Sequence, residues 1–128
     1  MTEGVILVIA LIAAAPLRVA EPSSFSAGVA AANCLSSSQA YQQYEQSKFW
    51  PASGTAFANA MVACTKTLEA DVTFDCVFIV SAGGHIKRIL HVTQQPMAAC
   101  VAAQLSGRSL PRPPRDAWPV LVHMSTHR

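Results

Sequence analysis

The residues of this 128-residue chain that could do chemistry are four cysteines, four histidines and a basic run near the carboxyl end. The cysteines are Cys34, Cys64, Cys76 and Cys100; the histidines are His85, His91, His123 and His127; the run holds Arg108, Arg112 and Arg115. Zinc sites bring thiolates and imidazoles together at short spacings, typically two cysteines separated by two to four residues. Here the cysteines are 30, 12 and 24 residues apart, and no histidine stands close enough to one to suggest a shared ion. The lack of a Cys-x-x-Cys pair also excludes a thioredoxin-type redox centre. His123 and His127 are four apart on a segment that reads as a strand, which spreads them by about 13 Å, too far for one metal ion. No metal and no cofactor are expected.

Hydrolytic motifs are missing as well. The chain has no HExxH, no GxSxG and no glycine-rich phosphate loop, and its six acids beyond residue 20 form no obvious catalytic pair. A cysteine nucleophile with His91 as its base can be written down, but cysteines of an exported chain are usually disulfide partners. The expectation is a binding protein, not an enzyme.

Export is read from Val5 to Ala15, VILVIALIAAA, eleven apolar residues closed by Pro16 and Arg18. A spanning helix needs about 20 apolar residues, whereas roughly 7 to 15 make the apolar region of a signal peptide. Residues 1–20 are therefore assigned to a signal peptide, cut between about Ala13 and Ser26, and the protein to the periplasm or the secreted fraction. No stable membrane span remains after removal. Four cysteines in an oxidising compartment predict two disulfides. Three connectivities exist, and Cys64 and Cys76 both qualify as partner for Cys100.

Charge divides the chain. Residues 21–86 hold two lysines against five acids, while residues 87–128 hold Lys87, Arg88, Arg108, Arg112, Arg115 and Arg128 against Asp116 alone. Arginine's planar fork matches carboxylates, so Arg108, Arg112 and Arg115 are the candidate contacts with an acidic partner, either a protein or peptidoglycan. Aromatic residues are not interleaved with these cations, which argues against nucleic acid.

The elements that must position these residues follow from periodicity. Ala27 to Ser47 is small and polar with weak helical character, with Tyr41, Tyr44 and Lys48 on one face, and Trp50-Pro51 and Ser53-Gly54 are expected to break it. Phe57, Met61, Cys64 and Leu68 mark a helix over Thr55 to Glu69. Val72 to Val80 reads as a strand joined by the SAGGH turn to a second, Ile86 to Val92, in an antiparallel hairpin. Pro96 to Leu105 reads as a helix ended by Gly107, and a proline-rich crossing leads to a last strand at Val120 to Met124. The fold class is α+β, with an N-terminal helical segment (21–70) and a β-β-α-β unit (71–128) whose small antiparallel sheet is covered by a helix.

This order, carried by VTFDCVFIVSAGGHIKRILHV, MAACVAAQLSG and SLPRPPRDAWPVLVHM, resembles the carboxyl-terminal domain of TonB-type energy transducers. The long Pro-, Lys- and Glu-rich spacer of full transducers is not in the chain, and the one candidate for the aromatic-proline signature ahead of the first strand, Trp50-Pro51, lies about twenty residues early. What the resemblance implies is the binding half of that module, which takes extended peptide at a sheet edge. It also implies Cys64 bonded to Cys100, leaving Cys34 for Cys76. The function expected is that of an exported periplasmic binding or accessory module; the alternative is an inhibitor or immunity-type protein, with SAGGH entering an enzyme cleft.

Overall fold

A computed structural model describes residues 21–68 and 73–125. The apolar run at 5–15, Val72, Glu69, His127 and Arg128 lie outside the described residues.

Serines set the first helical boundaries. Ser24 caps α1 (Phe25–Leu35) by accepting from the Ala27 N–H, and Ser38 caps α2 (Gln39–Tyr44) by accepting from the Tyr41 N–H. Between them Ser36 returns its hydroxyl to the Asn33 carbonyl, so one weakly helical stretch becomes two helices.

Contrary to the expected break, the chain passes Trp50-Pro51 without leaving helical geometry. α2 runs into a π-helical turn (Glu45–Phe49) and then α3 (Trp50–Leu68), which also contains Ser53 and Gly54. A proline inside a helix lacks a donor and crowds the carbonyl four residues back. Here the preceding turn is widened: the Trp50 N–H bonds to the Glu45 carbonyl, five residues back, and the proline follows it. The buried Ser53 hydroxyl donates to the Phe49 carbonyl at 2.5 Å, adding a bond just past the proline.

β1 (Thr73–Val80), β2 (Ile86–Leu90) and β3 (Trp118–Ser125) form one antiparallel sheet in the order β2-β1-β3. The second strand stops two residues short of the expected Val92, and the third begins two residues early. α4 (Pro96–Leu105) starts on its proline as anticipated. On one face Phe74, Cys76, Phe78 and Val80 meet Val101 and Leu105 of α4, Phe57 and Cys64 of α3, and Tyr41, Tyr44 and Phe49. Phe78 lies 5.0 Å from Phe57 and 6.2 Å from Phe49, ring to ring.

The other face is also covered. Val77, Ile79 and Leu90 are buried beneath α1, against Phe25 and Val29. Gly28 permits this approach, because a β-carbon there would stand 2.9 Å from the Leu90 side chain and 3.1 Å from that of Val77. β1 is thus sandwiched between helices and paired on both sides, and the helical segment and the sheet share their core.

Cys64 and Cys100 form a disulfide that ties α3 to α4. Cys34 and Cys76 are free thiols, so the expected second bridge is not made. Cys34 is exposed on α1, above one face of the sheet, whereas Cys76 is buried in the core on the other. The strand itself stands between them.

Candidate functional site

The basic crossing between α4 and β3 is held by the body of the protein along its length. Arg108 accepts from the Ile86 N–H through its carbonyl, and Leu110 donates to the Gly84 carbonyl at 2.6 Å. Ser109 and His85 form an antiparallel bridge between these bonds. Gly84 has φ +85°, and a β-carbon there would run into the Leu110 carbonyl, so this position in the turn requires glycine. Further on, the Tyr44 hydroxyl donates to the Pro111 carbonyl at 2.8 Å.

The crossing ends in a charged latch. Asp116 accepts from the Ala82 N–H at 2.8 Å and pairs with Lys87, which also reaches Glu21 at 3.3 Å. The Ala82 hydrogen bond, assisted by Lys87, holds the Asp116 carboxyl below its ordinary range, and the Glu21 carboxylate holds Lys87 above its own.

The three candidate arginines do not converge. Arg115 lies over the Trp118 ring, 5.3 Å from its centre, and donates to the Asp116 carbonyl, so it is spent on the fold. Arg108 borders a shallow cleft of about 200 Å³ with Thr55, Asn59 and Gln104. Arg112 borders a separate cleft of about 190 Å³, where it is joined by Lys48, Gln43 and Tyr44. Lys48 and Gln43 were not among the expected contacts. Their signal was the face shared by Tyr41, Tyr44 and Lys48, which the assumed break at Trp50-Pro51 kept apart from the crossing.

The sheet edges differ in accessibility. On β3 the Leu121 N–H is spent on the Tyr41 hydroxyl, and Pro119, two residues earlier and so on the same side, has no N–H to offer. On β2 the Ile86 end is covered by the crossing, while Ile89 to Thr93 borders an open groove of about 600 Å³ with Ser23 to Ser26.

The remaining candidates are placed as follows. Cys76 is fully buried, and burial pushes its thiol up to about 12, the opposite of what a nucleophile needs. His91 shares a 2.8 Å hydrogen bond with the Val92 carbonyl. His123 Nδ1 lies 2.5 Å from Asp75 Oδ1 in an exposed pair, and His85 is exposed at the turn. Among the described residues no group of three His, Cys, Asp or Glu side chains is placed to hold a metal ion, and no helix is long and apolar enough to cross a membrane. Compared with family models, curated proteins and solved structures, the chain matches none.

Proposed function

We propose that the protein is an exported binding or accessory module of the periplasm or secreted fraction, with the basic crossing as the surface that meets a carboxylate-bearing protein partner. The observation that carries this reading is the anchoring of that crossing: Arg108 and Arg112 project from a backbone bonded to Ile86, Gly84 and Tyr44. A cation on a fixed backbone loses less freedom on binding than one on a free loop. The Cys64–Cys100 disulfide supports an oxidising destination. The resemblance to TonB carboxyl-terminal domains is kept as part of the proposal, with one adjustment. Strand addition along β3 would meet the Tyr41 hydroxyl and Pro119, so the arginines are preferred to that edge.

Capture from a periplasmic extract tests the reading, comparing the wild type with the Arg108→Gln/Arg112→Gln variant and sedimenting both with peptidoglycan sacculi. A protein retained by the wild type, released by salt and lost from the variant is expected. Equal retention by both, or co-sedimentation with sacculi alone, would sink the protein-partner reading.

A second reading, as an inhibitor, is favoured by the SAGGH turn. Ala82 and Gly83 are exposed at its tip, while the Ser81 hydroxyl, Asp116 and the crossing brace it from behind. Lengthening the tip at Gly83 would abolish inhibition of an enzyme target and leave capture through the arginines unchanged.

A further inference from the structure

The Arg112 cleft has two walls brought together from distant parts of the chain. One wall is α2 and the π-helical turn, supplying Gln43, Tyr44 and Lys48; the other is the stiff Arg112-Pro113-Pro114 segment. The Tyr44 hydroxyl on the Pro111 carbonyl staples one wall to the other across 67 positions of sequence. Tyr44 itself is buried, so the floor is fixed. Two cations and no carboxylate line the space. The nearest acid in sequence, Glu45, is turned to the Trp50 indole N–H. π-Helical turns often occur where a side chain must be re-aimed for a function, and this one carries Lys48.

We propose that the Lys48–Arg112 cleft is a carboxylate subsite for an acidic side chain of a peptide segment. The inference rests on the module reading above and names the group that the module recognises. Arg112 would meet the carboxylate with its fork, Lys48 would add a second charge, and the Gln43 amide would serve the adjoining peptide bond. A volume of about 190 Å³ is enough to admit one such side chain.

The test is a titration of the ¹⁵N-labelled protein, followed by amide chemical shifts, with N-acetyl-diglutamate amide, the matching diglutamine peptide and inorganic phosphate at equal ionic strength. Saturable shifts at Gln43, Lys48 and Arg112 with the glutamate peptide alone are expected. Affinity should fall about tenfold or more in Lys48→Gln/Arg112→Gln and stay unchanged in Arg88→Gln, whose arginine is exposed on β2. An unchanged melting temperature for the double variant would show that binding, not folding, was lost. Equal shifts with the glutamine peptide, tighter binding of phosphate, or unaltered affinity in the double variant would overturn the subsite. Should a captured partner bind wild type and double variant alike, the subsite fails while the module reading stands; should the peptide bind but no partner exist, the reverse holds.

Discussion

Cys34 and Cys76 are both free, yet their surroundings give them opposite chemistry. Cys34 is exposed and should react with iodoacetamide in the native protein, whereas Cys76 should react only after denaturation, as read by peptide mass spectrometry. The Cys76 thiol is raised from an ordinary value of 9.0 to about 12, chiefly by burial and then by the Asp75 charge. A raised value means that the native state holds its proton when the unfolded chain has lost it. Stability should therefore be intact below pH 9 and fall as pH climbs toward 12. Denaturant melts at a series of alkaline pH values would show this fall reduced in Cys76→Ala, with the later loss from Tyr44, raised from 10.0 to about 12 by burial, still present. Phe78 makes a packing claim of the same local kind. Fully buried between Phe49 and Phe57, it should cost about 3 to 5 kcal/mol on replacement by alanine, and an equilibrium urea melt giving much less would mean that the ring is not in the core.

At the scale of elements, two glycines make opposite predictions. Gly28 sits where α1 touches the sheet, so Gly28→Val should lift that helix and lower the melting temperature. Gly54 has open space around it inside α3, so Gly54→Ala should stabilise by about 0.5 to 1 kcal/mol. The disulfide between α3 and α4 joins residues 36 apart, for which loop-closure entropy gives about 4 kcal/mol, and thermal melts with and without reductant should differ accordingly. Much of this layout was legible. The β-branched run ending at Val80, the glycine turn, Pro96 at a helix start and Gly107 just past its end each have one local conformation that suits them. Three features were not legible. The helix through Pro51 depends on a π-turn, which is a hydrogen-bond shift with no residue signature. α1 is rich in small residues, with Phe25 and Val29 as its contacts to the sheet, and its weak helical pattern does not record which face of the sheet it covers. The Lys48–Arg112 cleft forms between segments stapled together by the Tyr44 hydroxyl on the carbonyl of Pro111, and no spacing in the sequence records that meeting.

For the molecule as a whole, the amino-terminal edge of the described chain bears on the export reading. Glu21 pairs with Lys87, Pro22 is buried and Ser24 caps α1, so a product retaining Glu21 keeps all three. Amino-terminal sequencing of exported protein should find a start at or before Glu21, and an intact Met1 on protein from the cytoplasm would end the export reading. The placement of β1 has a further result, in time instead of space. This strand is made before both of its neighbours, and one of them, β3 (Trp118–Ser125), follows only after β2, α4 and the proline-rich crossing. Until then Phe74, Cys76 and Phe78 stand beside an unfilled edge, a sticky template for any extended chain nearby. The sheet thus cannot close until Trp118–Ser125 has been made, and whatever escorts the nascent chain must shield β1 until that final partner arrives.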